Sequence, residues 1–320
     1  MNRISAIIPV SGESDTLDRC IRSLLDQTVR DIEIILVTSG RVDKTPYEAK
    51  GCPIKIVELK DEFTASKARN LGAKQAKGEI LAFIDADIIL QRHSIQKALE
   101  FIAGKKIDAL SSSYTDNVRG FNFCSKFQTF FLNYRHSFIP RDKNVNFIFS
   151  SFFAIKKKAF DETGGFDEKL DAYEDVELGY RLAQEGYNCR LDADNRVTHL
   201  KRYTHSGLLK DYFAKAKAAG RFFYGTQFFR KSLAIGNMPG SLKLASVSAL
   251  AALFSLPIAG FSTLPLLFSL AGYMVFISPL LLFLAKKHDL LFCLKSVILC
   301  FEIFIACYLG LAWGILHRKK

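Results

Sequence analysis

Two carboxylates stand one residue apart, at Asp85 and Asp87, directly after an apolar run at residues 80–84. A short apolar run bounded by a glycine and by charges is typical of a buried parallel strand. Ligands of open α/β sheets bind outside the carboxyl ends of such strands, and paired carboxylates there suit a divalent cation, Mg²⁺ or Mn²⁺, that bridges to a phosphate. The alternative is that the two aspartates cap a helix by accepting its first backbone N–H groups.

Arg69 lies near the start of a helix predicted at residues 64–77. The first turn of a helix, reinforced by a cation, is a good place for a diphosphate, so Arg69 is a candidate for donor contact. The alternative for Arg69 is a solvated surface cation. Hydrophobic periodicity predicts the elements that would position these groups. They are strands at 4–10, 31–37, 54–59 and 107–114, helices at 16–27, 94–103 and 173–184, and a buried segment at 147–155.

Several short motifs occur in a fixed order within residues 3–206. They are IIPVSGE at 7–13, ARNLGA at 68–73, AKGE at 76–79, DAD at 85–87, GGFDE at 164–168 and YEDVELGYRL at 173–182. Their order and spacing resemble the family 2 glycosyltransferases, which use nucleotide-sugars. The resemblance implies an α/β GT-A nucleotide-diphospho-sugar transferase fold, with a mostly parallel sheet flanked by helices, and inversion at the anomeric carbon.

The resemblance also implies roles for individual residues. It implies that Asp175 is the catalytic base and that His199 joins Asp87 and Asp85 at the metal. The remaining implied residues are Pro9, Glu13, Arg69 and Asp85 on the donor side, and Gly164, Gly165 and Glu174 on the acceptor side. Two alternatives stay open. Glu174 and Asp175 could serve only to stabilise the first turn of their helix, because the helix dipole favours carboxylates there. His199 also fits a surface histidine that follows a strand.

One position departs from the family pattern. Family members usually end their second strand in two aspartates followed by glycine and serine, and one aspartate touches the nucleobase. Here the strand is followed by Thr38, Ser39, Gly40 and Arg41. Ser39 therefore takes the base-facing position with a neutral hydroxyl, and we expect looser base selection than an aspartate would give, because hydrogen bonds to ionised groups are the stronger ones.

The C-terminal part of the chain is far more apolar than the rest. Apolar runs at 244–260, 264–285 and 290–316 approach or exceed the roughly 20 residues that a membrane-spanning helix needs. Basic residues crowd positions 201–243 within a chain of net charge +12, and residues 207–232 predict an amphipathic interfacial helix. Glu302, inside the third run, should face protein or an aqueous cavity rather than lipid.

Three further observations bear on function. Aromatic residues at helical spacing across 127–138 indicate either a packed core or an acceptor-lining or membrane-facing stripe. The seven cysteines form no C-x-x-C pair, so neither a zinc site nor a disulfide framework is indicated. The basic charge adjoins the apolar runs and no nucleic-acid motif is present, which disfavours nucleic acid as a partner.

The resemblance implies a GT-A glycosyltransferase domain at 1–206. The basic and apolar patterns predict an amphipathic interfacial segment at 207–240 and a transmembrane region, with three helices, at 241–320. The predicted protein is a multi-pass, metal-dependent glycosyltransferase of the cell membrane whose catalytic domain faces the cytoplasm. Its substrates would be a nucleotide-sugar donor and a lipid-linked or glycan acceptor of cell-envelope polysaccharide or glycolipid synthesis. Its other partners would be the bilayer and a second copy of the chain, bound through transmembrane helices. The alternatives are a polyprenyl-phosphate glycosyltransferase and a non-catalytic membrane scaffold.

Overall fold

The structure is a computed structural model, and it describes residues 4–11, 15–40, 54–104, 107–170, 172–224 and 238–317. The chain forms two compact units, which we describe separately. The first unit holds residues 1–117 and 139–201, and the second holds residues 118–138 and 202–320. The three regions predicted from the sequence stay a prediction about folding domains.

The first unit is built on a mixed sheet. Its strands, among the described residues, are β1 (Ile4–Val10), β2 (Ile32–Thr38), β3 (Ile54–Glu58), β4 (Ile80–Ile84), β5 (Ile88–Ile89), β6 (Ala109–Tyr114), β7 (Phe152–Lys156) and β8 (Cys189–His199). They lie in the order β3-β2-β1-β4-β7-β6-β8-β5. The pairs β1–β2, β2–β3, β1–β4 and β6–β8 are parallel, and the other three pairs are antiparallel. Strands β1 and β4 are buried at every position, as expected for strands covered on both faces.

Helices α1 (Asp15–Leu25), α2 (Ala65–Gln75), α3 (Ser94–Gly104), α5 (Lys157–Glu162) and α6 (Glu174–Gln184) accompany this sheet. Helix α2 begins where the sequence predicts, because the hydroxyl of Thr64 accepts a hydrogen bond from the Lys67 amide. A Cβ added at Gly72 would lie 2.4 Å from the Ile7 side chain, so α2 packs very closely on β1. This close packing fixes the position of Arg69 above the sheet.

The second unit is helical. It contains α4 (Phe123–His136), α7 (His205–Phe223), α8 (Gly240–Ser255), a 3-10 turn (Leu256–Ile258), α9 (Leu264–Ala285) and α10 (Leu290–Leu316). Three stretches are long and apolar enough to cross a membrane: Gly240–Ile258, Leu264–Ala285 and Leu290–Leu316. Large apolar side chains on these stretches are exposed, with Phe268 74% exposed, as expected for lipid-facing surfaces.

The aromatic residues of α4 belong to the core of the second unit. Phe127, Phe130, Phe131 and Tyr134 are each at most 3% exposed and pack in the same cluster as residues of α9 and α10, whereas Phe138 is 53% exposed. The packed-core interpretation is therefore confirmed for these four side chains, and the acceptor-lining interpretation is wrong for them. They help to cover α9 and α10 within this unit.

Helix α7 packs along the C-terminal half of α10. Added Cβ atoms at Gly310 and Gly314 would lie 2.3 and 2.1 Å from the backbone oxygens of Phe213 and Lys217. At the start of α7, His205 Nε2 lies 2.6 Å from a carboxylate oxygen of Glu302, so this carboxylate faces protein, as predicted. One side of α7 is thus covered by α10, and its interfacial placement stays a prediction. Residues 225–232 of the predicted amphipathic helix lie outside the described residues.

Candidate active site at the end of strand β4

The backbone brings Asp87 beside His199. Strand β5 follows Asp87 and pairs antiparallel with β8, with Ile88 opposite His199. The Leu200 amide donates to the Asp87 carbonyl at 2.8 Å, and Asp87 Oδ2 lies 3.2 Å from His199 Nε2. Since a strand follows Asp87, the helix-cap alternative for the two aspartates is wrong.

The Asp87 carboxylate is kept ionised by its surroundings. Burial alone would raise its pKa, but the hydrogen bond and charge of His199, with a contribution from Lys201, bring the pKa below its ordinary value. The imidazole of His199 is in turn held by stacking on Tyr114, with ring centroids 5.8 Å apart. The hydroxyl of Tyr114 donates to the Ser151 hydroxyl at 3.0 Å, which fixes that ring.

Arg69 bridges the two acidic motifs. Its Nη2 donates to Asp85 Oδ1 at 2.7 Å and its Nη1 donates to Glu174 Oε1 at 2.8 Å. The side chain is 3% exposed, and its guanidinium carbon lies 5.2 Å from the ring centroid of Phe166. The surface-cation alternative for Arg69 is therefore wrong. Burial raises the pKa of Asp85, and the charge of Arg69 opposes that rise.

Asp175 lies next to Glu174, in the first turn of α6. Its Oδ2 accepts a hydrogen bond from the Ser150 amide at 2.9 Å, and its Oδ1 accepts one from the Val176 amide at 2.8 Å. Burial, and then the negative charge of Glu174, raise the pKa of Asp175 to about 6, against the opposing effect of the two amides and of Arg69. A carboxylate with a pKa near neutrality can exchange a proton at physiological pH.

The GGFDE loop is pinned by Asn70, the residue after Arg69. Its Oδ1 accepts a hydrogen bond from the Phe166 amide at 2.9 Å, and its Nδ2 donates to the Phe166 carbonyl at 2.9 Å. Gly164 and Gly165 have φ angles of 83° and 71°, a left-handed conformation that favours glycine. Sequence reasoning assigned no role to Asn70, although it stands within the ARN motif that could have drawn attention to it.

Three further residues are predicted to contact the nucleotide part of the donor. Pro9 is buried near the end of β1, opposite Val37 of β2. Ser39 follows the carboxyl end of β2 and is exposed. Glu13 lies outside the described residues. Pro9 and Ser39 are therefore at the carboxyl ends of neighbouring parallel strands, the edge at which ligands of such sheets bind.

Asp87 and His199 could hold a divalent cation together with a substrate. Within the part of the chain that the structure describes, no group of three or more His, Cys, Asp or Glu side chains is placed to hold a metal alone. Asp85 Oδ1 accepts a hydrogen bond from Arg69, so Asp87 and His199 are the two donors without that contact, and the predicted metal contact of Asp85 stays a prediction. Such a set fits Mg²⁺ or Mn²⁺ bound through one carboxylate, substrate phosphates and water, because these cations commonly share their coordination in this way.

Comparison with known proteins identifies relatives of the chain. A pre-mycofactocin glycosyltransferase of Mycobacterium tuberculosis (strain CDC 1551 / Oshkosh) is 24% identical over 229 residues, which are 69% of this chain and 46% of that protein. The O-antigen chain rhamnosyltransferase RfbN of Salmonella typhimurium is 24% identical over 232 residues, 66% of this chain and 70% of that protein. The chain thus spans about half the length of the mycobacterial relative.

A solved structure has the same fold. It is the mannosyltransferase PcManGT from Pyrobaculum calidifontis in complex with GDP-Man and Mn²⁺, with a TM-score of 0.59 and 17% identity over 98% of this chain and 87% of that one. The predicted GT-A-like α/β fold followed by apolar helices is confirmed. Residues 5–164, half of the chain, match the model of the family described as "Glycosyl transferase family 2", and the chain belongs to this family.

Proposed function

We propose that the chain is a membrane-anchored, metal-dependent, inverting glycosyltransferase. It would move a sugar from a nucleotide-diphospho-sugar to a hydroxyl of a lipid-linked or membrane-proximal glycan. One observation carries this proposal: Arg69 joins Asp85 of the first acidic motif to Glu174 of the second. This bridge would keep the Asp87–His199 pair and Asp175, the proposed proton acceptor, close to one another.

Each group has a separate task in this mechanism. Asp87 and His199 would hold the cation, and that cation would supply positive charge to neutralise the leaving diphosphate. Asp175 accepts the proton of the acceptor hydroxyl while the new glycosidic bond forms and the bond from sugar to diphosphate breaks. The amides of Ser150 and Val176 hold the Asp175 carboxylate in place, and this positioning supplies part of the rate.

The comparisons support the donor class and leave the sugar open. The structure of PcManGT is described as a complex with GDP-Man and Mn²⁺, whereas the Salmonella relative is named as a rhamnosyltransferase. Both descriptions are of sugar transfer, with different sugars. We therefore propose a nucleotide-diphospho-sugar as donor without naming its sugar. We also propose that the site faces the cytoplasm, since nucleotide-sugars and basic juxtamembrane segments are both found on the cytoplasmic side of the membrane.

Turnover by the purified full-length protein tests this proposal. Uridine, guanosine and deoxythymidine diphospho-sugars would be incubated with protein in detergent, Mn²⁺ and a membrane lipid extract, and released nucleoside diphosphate would be measured. We expect release from at least one donor, loss of release with EDTA, and loss in the Asp87→Asn variant. If the protein binds nucleoside diphosphate but releases none from any of these donors, the enzymatic assignment is contradicted and a scaffold is favoured.

A further inference from the structure

The turn between α9 and α10 carries a cluster of basic and aromatic side chains. Residues 286–289 join two of the candidate membrane spans, so a bilayer crossed by both helices would place this turn at its surface. Lys286 and Lys287 of the turn are exposed, as is Lys295 in the second turn of α10. Helix α4 of the same unit packs against this region through Phe123 and Phe130. We call Lys126, Lys287, His288, Lys295, Phe123, Phe130, Phe283 and Phe292 the basic–aromatic cluster.

Two lysines of this cluster, Lys287 and Lys295, lie over aromatic rings. Lys287 Nζ lies 5.4 Å from the ring centroid of Phe130 and 5.5 Å from that of Phe283, and Lys295 Nζ lies 6.0 Å from that of Phe123. Contacts of this length to a ring face are cation–π interactions, which favour a fixed position of the ammonium group. Lysines restrained before binding lose less conformational entropy when they contact an anion.

The aromatic rings form a continuous layer under these charges. The His288 ring stacks on Phe292 with centroids 4.0 Å apart and meets Phe130 edge-on at 4.5 Å, and Phe123 packs on Phe292 at 5.0 Å. Aromatic side chains combined with lysines are enriched where apolar and aqueous phases meet at a membrane. The layer therefore has the composition of a membrane-interface surface.

The centre of the cluster contains a polar atom without a partner. His288 Nε2 is buried and has no hydrogen-bond partner among the described residues. Burial lowers the pKa of His288, and the positive charges of Lys126 and Lys287 lower it further, so these groups share one neighbourhood. The acidic residue of the turn, Asp289, is engaged in capping α10, since its Oδ1 accepts a hydrogen bond from the Phe292 amide at 2.8 Å.

We propose that the basic–aromatic cluster binds the phosphate of an anionic phospholipid headgroup, with the lysine ammonium groups as its partners. The acyl chains of that lipid would lie along the exposed apolar side chains of α9 and α10, such as Leu282, Leu291 and Leu294. A soluble phosphate has no such apolar contacts, which is why a lipid is the occupant. The proposal does not depend on the proposed transferase activity.

Lipid binding by the full-length protein in detergent tests this site. Affinities for phosphatidylglycerol and phosphatidylcholine would be measured by native mass spectrometry, with thermal unfolding in parallel. A basic residue at an anionic membrane surface contributes about 1 kcal/mol, or about fivefold in affinity. We therefore expect the double variant Lys287→Gln/Lys295→Gln to bind phosphatidylglycerol about 25-fold more weakly, with phosphatidylcholine binding nearly unchanged.

The matched control removes two charges elsewhere. Lys158, with its side chain 82% exposed, and Lys143, also exposed, both lie in the first unit, outside the cluster and outside α7, and their double glutamine variant should bind phosphatidylglycerol like the wild type. Equal losses in both double variants would overturn the proposal, because they would indicate a general charge effect. Competition by inorganic phosphate at concentrations near those of the lipid would also overturn it. If the cluster variant unfolds, the single variant Lys287→Gln provides the test. We expect its affinity for phosphatidylglycerol to fall about fivefold, and an unchanged affinity would contradict the site.

Discussion

Arg69 is a buried cation whose two terminal nitrogens are both occupied by carboxylates. Its Nε, by contrast, is buried without a hydrogen-bond partner among the described residues. The guanidinium fork is suited to this task, because it can meet two carboxylates at fixed angles whereas an ammonium group is a point charge. Arg69 therefore positions Asp85 and Glu174 relative to each other, and the predicted direct contact with the donor stays a prediction.

Replacement of Arg69 by methionine should destabilise the protein strongly. Removal of one member of a buried ion pair leaves uncompensated charge, at a cost of about 3–5 kcal/mol. For a chain of this size we expect the midpoint of thermal unfolding to fall by about 10 °C. The control is Arg22→Met. Arg22 pairs with Asp18 at the surface, and its side chain is 60% exposed. Loss of such a surface pair should change the midpoint by about 1 °C. Equal small shifts would show that the Arg69 bridge does not stabilise the site.

Replacement of Asp87 by asparagine should remove Mn²⁺-dependent binding of nucleoside diphosphate. Asp87 pairs with His199 and not with Arg69, and it is the proposed charged ligand of the cation, which the variant lacks. Calorimetry with uridine and guanosine diphosphate, with and without Mn²⁺, measures this effect. Asp161→Asn is the control, since the Asp161 side chain is 55% exposed on α5. Unchanged Mn²⁺-dependent affinity in Asp87→Asn would exclude Asp87 as a cation ligand.

The site residues differ in how far the sequence could predict them. Asp85 and Asp87 follow a strand whose apolar run, 80–84, is visible in the sequence and matches β4. The contacts of Arg69 with Glu174 and of Asp87 with His199 join residues 105 and 112 positions apart. Local periodicity contains no information on such pairs, and only the family resemblance brought His199 near the metal.

At the scale of elements, the contact between α7 and α10 depends on glycine. A Cβ at Gly314 would lie 2.1 Å from the Lys217 carbonyl oxygen, and one at Gly220, on the facing helix, would lie 2.5 Å from the Leu311 oxygen. Helices packed this closely gain van der Waals contact along their backbones, as small residues allow in membrane helices. The sequence showed small residues at 306, 310 and 314 but not which helix they face.

Gly314→Ala should therefore lower the thermal unfolding midpoint of the full-length protein in detergent. Overpacking costs about 1–3 kcal/mol, whereas alanine in an unobstructed helix position would be favourable by about 1 kcal/mol relative to glycine. The sign of the shift thus reports the contact. Gly260→Ala serves as the control, because an added Cβ there meets nothing within 4 Å. A raised midpoint in Gly314→Ala would contradict the close packing of α7 on α10.

Element boundaries were predicted well where one physical signal dominates. The bounds of α9 and α10 match the apolar runs predicted at 264–285 and 290–316, because each run is framed by polar or turn-forming residues. The buried segment at 147–155 forms a strand only from Phe152. Before it, the amides of Phe149 and Ser150 donate to the side chains of Ser111 and Asp175 instead of a strand partner. Such side-chain partners cannot be predicted from periodicity.

At the scale of the whole molecule, an α/β unit with an acidic site is joined in one chain to a helical unit with three candidate spans. This combination suits a transferase whose donor is soluble and whose acceptor is at the membrane. Two acceptor classes remain, a hydroxyl and a polyprenyl phosphate. They differ in chemistry, because a hydroxyl must lose a proton during transfer and a phosphate acceptor is already an anion.

Turnover of the Asp175→Asn variant across pH tests the central claim most directly. The claim is that Asp175 is the general base of a glycosyl transfer to a hydroxyl. Its pKa is raised to about 6, so the wild-type rate should rise with pH through about 6 as the carboxylate loses its proton. Asp175→Asn should keep donor binding and turn over roughly 100-fold or more slowly, without this pH dependence. Near-normal turnover of Asp175→Asn, with the pH dependence intact, would contradict the claim and favour a phosphate acceptor.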